Sequence, residues 1–169
     1  MKRLVVFLAL LASTYVMTSA QGAVEARLKR LFPAAAAFSP KEGEPPHYTA
    51  FGPNKAVLGY AFNTTEILPL ERGYGGPIVM LIGLDPTGHL TGLIVVEHHE
   101  PYGDFSIERP QFAEQFKGKD VRDAFKLGED VDAVARASIT MSSAVRAIRN
   151  SSRRMARALL TPQGSPAAK

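Results

Sequence analysis

The sequence predicts an α+β fold, an antiparallel sheet with flanking helices. Three observations carry this. Ile78 to Leu84 is a nearly continuous apolar run, and a second run, Leu90 to Glu97, follows it across the turn Asp85-Pro86-Thr87-Gly88. Near the C-terminus Val145, Ile148, Met155 and Leu159 recur at helical spacing. The chain has 169 residues, 46% of them hydrophobic, enough for one domain with its own core.

In chain order, residues 1–20 stand apart. Lys2 and Arg3 precede the largely apolar stretch Leu4 to Met17, and Thr18-Ser19-Ala20 ends in small residues. This is the pattern of a secretory signal with cleavage after Ala20 or a few residues later. The apolar stretch is short beside the roughly 20 residues of a membrane-spanning helix; the alternative is an uncleaved membrane anchor. The expected location is periplasmic or otherwise exported. Val24 to Phe32 reads as an amphipathic helix with Val24, Leu28 and Leu31 on one face and Pro33 at its end. Ala34 to Ala37 is of low complexity but too short to matter. Ser39 to Pro46, with three prolines and a glycine, reads as a loop. The predicted units are thus a signal (1–20), an N-terminal helix and Pro-rich loop (21–46), one domain (47–160) and a disordered tail (161–169).

Within the domain, the pattern becomes strand-like at Tyr48, and Ala56 to Phe62 is apolar and rich in β-formers. Gly75-Gly76-Pro77 is a turn. Ile78 to Leu84 has the continuity of a strand buried on both faces. His98 to Asp104 is a polar loop. Arg109 to Lys117 reads as a helix with Phe112 and Phe116 on one face, stopped by Gly118, and Lys126 to Asp132 as an acidic loop. Thr140 to Leu160 is the longest helix, with Arg146, Arg149, Arg153 and Arg157 on a face of their own. An arginine face is ordinarily a solvated one; the alternative is a surface that docks on an acidic partner or an anionic membrane.

Charge and cysteine content narrow the function. Without Lys2 and Arg3 the 20 basic residues fall to 18 against 16 acidic ones, or +2. That balance is too mild to argue for nucleic acid. With no cysteine there is no disulfide and no thiolate metal site.

Three places carry residues suited to chemistry. The first is Asp132 to Thr140, just before the last helix. Hydroxyls at a helix start ordinarily cap it, but a helix N-terminus also favours a phosphate, and Arg136 would add a charge-assisted contact. The second is His98-His99-Glu100. Adjacent residues of an extended strand point to opposite faces, so the pair is poorly placed to hold one metal ion. Lining a ligand pocket and forming a solvated strand end remain open. The third is Gly73-Tyr74-Gly75-Gly76. It lacks the spacing of a phosphate-binding fingerprint and reads either as a tight turn or as a close approach of backbone to ligand. Glu97 and Glu100 read as an ordinary acid pair without a marked partner. No hydrolase motif is present.

Taken together, the order Gly73-Tyr74-Gly75-Gly76-Pro77-Ile78, Asp85 and Gly88, Leu90-Thr91-Gly92-Leu93, Glu97-His98-His99-Glu100-Pro101 and Asp132-x-x-x-x-Ala137-Ser138-x-Thr140 resembles one family over about Leu31 to Leu160. It resembles the FMN-binding domain of the exported flavin subunits in sodium-pumping NADH:quinone oxidoreductase and Rnf complexes. The version in membrane regulators of nitrous oxide respiration, and in related reductive-dehalogenation proteins, is nearest. The resemblance implies FMN as cofactor and electron transfer with membrane or periplasmic redox proteins as the role. It also implies a phosphoester from FMN to the last residue of Asp-x-x-Ser/Thr-Gly-Ala-Thr, attached by a flavin transferase after export. The motif begins here at Asp132 and places the acceptor on Ser138, with Thr140 as second choice. It departs from the pattern at Ala135 (for Ser/Thr), Arg136 (for Gly) and Ser138 (for Thr). The cofactor-binding set this implies is Ser138, Thr140, Arg136, Ala137, Asp132, His98, His99, Glu100, Tyr74 and Gly75. A rival of the same fold binds FMN non-covalently, or senses without a flavin.

Overall fold

The computed structural model describes residues 21–160. The signal expected over 1–20 and the tail expected over 161–169 lie outside the described residues. The chain is helical over 21–31 (α1). A five-stranded antiparallel sheet follows: β1 (Ala37–Phe38), β2 (Tyr48–Phe51), β3 (Val57–Asn63), β4 (Val79–Leu84) and β5 (Leu90–Glu97), ordered in space as in sequence. Then come α2 (Pro110–Glu114) and α3 (Ser138–Leu159).

β4 lies at the centre of both layers. Met80, Ile82 and Leu84 are fully buried in one cluster with Met141, Ala144, Val145, Ile148 and Met155 of α3. Leu81 belongs to a second cluster with Leu28, Leu31 and Phe32 from the α1 region. Helices therefore cover both faces of the strand, which is why its sequence is continuously apolar rather than alternating. Burying one Leu or Ile side chain contributes about 1.5–3 kcal/mol, so these two layers dominate the stability. Phe112, Phe116 and Phe125 extend the α3 layer, with ring centroids 5.1 Å and 6.0 Å apart.

α1 approaches the sheet over a trough of small residues. Gly83 pairs with Ala61 on one side and Gly92 on the other. A Cβ at Gly83 would sit 2.2 Å from Thr91 Oγ1 and 3.2 Å from both Leu31 and Phe32; one at Gly59 would sit 2.3 Å from the Leu84 carbonyl oxygen. The missing side chains are where Leu31 and Phe32 rest.

The β-hairpin expected over 78–97 is present. Asp85 closes its turn by accepting bonds from the N–H groups of Thr87 and His89 at 2.8 and 2.9 Å. Several expectations need correction. Within the low-complexity run Ala34 to Ala37, Ala35 is buried and Ala36 N–H donates to the Phe51 carbonyl at 2.7 Å, beside β1. The short edge strand is made by pairing with β2, which local composition does not reveal. The helix expected over Arg109–Lys117 is regular only over α2, although Phe112 and Phe116 are both buried as its spacing implied. Of the five arginines on α3, two of the four expected to share a face are structural ties rather than a free face. Arg146 pairs with Glu71 at 3.3 Å. Arg153 donates to the carbonyls of Val121 and Asp123 at 2.8 and 2.7 Å.

The acidic loop before α3 is held by Asp130, which accepts from Lys126 N–H at 2.6 Å, Phe125 N–H at 3.0 Å and Lys119 Nζ at 3.1 Å. Burial disfavours its charge, but these donors outweigh burial and hold its carboxyl below the usual carboxylate range. A carboxyl lowered on folding adds stability above its unfolded value of about 3.9, and that contribution is lost as pH falls through the lower folded value. The melting temperature should therefore fall on acidification below about pH 4, and fall less steeply in Asp130→Asn, as followed by circular dichroism.

Candidate functional site

α3 starts without a capping side chain. Its N-cap residue is Ala137, no side chain bonds the first turn, and no acidic residue lies in that turn. The first helical bond near this end runs from Met141 N–H to Ala137 O at 2.9 Å. The N–H groups of Ser138, Ile139 and Thr140 therefore have no partner within the helix. Behind them 22 residues of helix align their dipoles, equivalent to roughly half a positive charge at this end.

A cavity of about 570 Å³ opens there. Arg136, Ser138 and Ile139 form one wall, and Tyr74, Pro101 and Tyr102 the other. Ser138 is exposed to it, whereas Thr140, two residues on, is buried. The turn leading in is closed by Ala137 N–H to Val134 O at 3.2 Å, and its third residue, Arg136, has φ 69°. Such a turn favours glycine at that position. Arg136 forms no ion pair among the described residues. It thus places a free guanidinium beside the open helix start at a cost in backbone strain. Arg136→Gly should raise the stability of the ligand-free chain by about 0.5–1 kcal/mol, read as a melting temperature a few degrees higher.

Glu100 lies behind this wall and is only 5% exposed. Its Oε2 accepts the Thr140 hydroxyl at 2.6 Å and its Oε1 accepts Gly75 N–H at 2.8 Å. This corrects the reading of Glu97 and Glu100 as an acid pair without a partner. The glycine segment is a tight turn, closed by Gly73 N–H to Gly76 O at 2.7 Å. It lies so close to the 98–100 segment that a Cβ on Gly75 would stand 1.9 Å from the His99 carbonyl oxygen. The close approach is one of backbone to backbone.

Not every residue predicted for the site lines the cavity. Tyr74, Arg136, Ala137, Ser138 and Thr140 do, and Gly75 and Glu100 stand directly behind it. His99 and Asp132 are exposed elsewhere, and Asp132 N–H donates to Gln115 Oε1 at 2.6 Å. His98 faces a separate groove along β5. There His98 Nε2, Asp104 and Glu108 come within metal-ligand spacing of one another. However, His98 Nδ1 accepts Glu100 N–H at 3.1 Å. An acceptor at Nδ1 puts the ring proton on Nε2, which then donates to Glu108 Oε1 at 2.8 Å. With its lone pair occupied in this way, the ring is a poor metal ligand. Pro101, Tyr102 and Ile139 also line the cavity; Pro101 belongs to the Glu97–Pro101 segment of the resemblance, whereas Tyr102 and Ile139 carry no signal in the sequence, because a large side chain at a cavity mouth looks in sequence like any core residue.

The arrangement suits an anion: a long helix with an open first turn, a hydroxyl and an arginine facing one cavity, and aromatic rings opposite. Residues 73–152 match the FMN-binding domain family. The chain is 33% identical over 129 residues to the regulatory protein NosR of Stutzerimonas stutzeri, covering 70% of this chain and 18% of that protein. It is 47% identical over 47 residues to a subunit of the ion-translocating oxidoreductase complex of Haemophilus influenzae, covering 28% and 21%. The chain thus spans about a fifth of the length of these relatives. FMN is the cofactor indicated. The residues present fit FMN. The cavity is of cofactor size, the open first turn and Arg136 suit a phosphate, and Tyr74 and Tyr102 offer aromatic surface to a flat ring.

Proposed function

We propose that this chain is an exported FMN carrier that relays electrons between membrane or periplasmic redox proteins, with the FMN phosphate joined to Ser138 Oγ by a flavin transferase that draws FMN from a flavin dinucleotide: the Oγ–P bond forms as the pyrophosphate bond breaks, and the nucleoside monophosphate leaves as the hydroxyl proton is given up. The observation that carries this is Ser138 itself, an exposed hydroxyl at the first residue of α3, facing the cavity beside Arg136. Bound FMN supplies the redox chemistry, taking up an electron pair and passing electrons on singly. The chain's own residues do the rest. The open N–H groups and the Arg136 guanidinium neutralise the phosphate, and Tyr74 and Tyr102 limit water at the cavity mouth. No helix among the described residues is long and apolar enough to cross a membrane. Association with a membrane complex would then come through residues 1–20 or through a partner.

The test is to produce the full chain in a host that carries the transferase, recover it from the exported fraction and denature it. Yellow colour and the added mass of FMN should stay with the polypeptide. A colourless protein of unmodified mass, whose melting temperature free FMN does not raise, would sink the proposal. Arg136 in the glycine position of the attachment motif favours a second reading, FMN held by its phosphate without a covalent bond. In that case colour is present before denaturation and lost with it.

A further inference from the structure

We infer that Glu100 is a positioning residue that holds the two walls of the cavity in register and does not itself touch the cofactor; this rests on the FMN role proposed above. Glu100 is buried and is not among the residues lining the cavity. Each of its carboxylate oxygens is given to a different wall. Oε1 takes Gly75 N–H, in the loop that carries Tyr74, and Oε2 takes the hydroxyl of Thr140, in the helix turn that carries Ser138. These partners are 25 and 40 residues away in sequence, so no local geometry sets the distance between the walls. The carboxylate does.

Two further features show a place made for this side chain. A Cβ on Gly73 would stand 2.2 Å from Glu100 Oε1 and 2.6 Å from its carboxyl carbon. The φ of Gly73 is not positive, so glycine is needed there for space rather than for conformation. On the other side, Glu100 N–H is held by His98 Nδ1, and the His98 ring is held by Glu108 and packs where a side chain on Gly103 would be, 2.0 Å from His98 Cε1. His98 thus acts on the site through the backbone of Glu100. Thr140 is committed as well: its proton goes to Glu100, which leaves Ser138 as the hydroxyl that faces the cavity.

The test uses the full chain, with and without FMN. Glu100→Ala removes both bonds. Glu100→Gln keeps them, since its carbonyl accepts Gly75 N–H and its amide donates to Thr140 Oγ1. Visible-region circular dichroism of the bound flavin reports how the ring is held. Amide exchange at Gly75 and Met141 in the FMN-free chain reports the latch itself. In Glu100→Ala the flavin band should lose more than half its amplitude, and exchange at both amides should rise about tenfold, as for loss of a charge-assisted bond. Glu100→Gln should restore both. Gly73→Ala should reproduce the Glu100→Ala phenotype alone and add little to it in the double variant, because the methyl then occupies the vacated space. An unchanged flavin band in Glu100→Ala, or a Glu100→Gln as damaged as Glu100→Ala, would overturn the inference. If the wild type holds no FMN, the functional proposal falls by itself, and the exchange arm still judges the latch: unchanged exchange at Gly75 in Glu100→Ala refutes it.

Discussion

Ser138→Ala should leave a folded protein that no longer retains flavin after denaturation, with neither yellow colour nor the added mass of FMN, whereas Thr140→Ala should keep both. The expectation follows from which of the two hydroxyls can be reached. Ser138 is exposed and faces the cavity; its removal deletes one hydroxyl at the surface and costs little stability. Thr140 is 2% exposed and donates to Glu100 at 2.6 Å. Removing that hydroxyl leaves a buried carboxylate short of a donor, a loss of about 1.5–3 kcal/mol, and should lower the melting temperature without abolishing attachment. Intact mass and a thermal melt on the two variants separate the roles. Retained FMN in Ser138→Ala would refute the assignment of the phosphate to this residue.

The largest stability effect should come from Gly59→Ala, a substitution far from the cavity. Gly59 has φ 152°, and an added Cβ would meet the Leu84 carbonyl oxygen at 2.3 Å and the Phe32 ring at 2.6 Å. The carbonyl belongs to β4 and cannot rotate away as a side-chain tip would. Either β3 and β4 separate or α1 lifts off the trough and exposes Leu28, Leu31 and Phe32. Overpacking of this kind costs about 1–3 kcal/mol, with the strained φ in addition. Denaturant unfolding should show a midpoint shift of that size, with limited proteolysis cutting near residues 21–36. A variant as stable as the wild type would mean that α1 is not seated where the clusters place it. The proposed flavin site, on the opposite layer, should be unaffected unless the whole domain unfolds.

Much of the architecture can be read in the chain itself. The hairpin of β4 and β5 is legible because two apolar runs flank Asp85-Pro86-Thr87-Gly88, whose turn chemistry is local. The long helix is legible because its apolar period is local too. Its pattern points to a start at Thr140 rather than Ser138, since no capping residue marks the true one; Ala137 in that position is the same feature that leaves the site open. The attachment motif is legible only through resemblance, and the turn explains its departure. Arg136 has φ 69°, a conformation glycine adopts freely and arginine only at a cost in strain.

The sequence by itself determined the class of fold, the two apolar layers and the hydroxyl at the mouth of the last helix, because periodicity, turn residues and helix termini depend on neighbours a few positions apart. Only the tertiary structure decided which groups around that hydroxyl work together. Glu100 reads in sequence as half of an ordinary acid pair with no marked partner, placed near the cofactor only by resemblance. It becomes a buried tie because Gly73, Gly75 and Thr140 converge on it from distant parts of the chain, and a carboxylate withdrawn from water must find donors wherever the fold brings them.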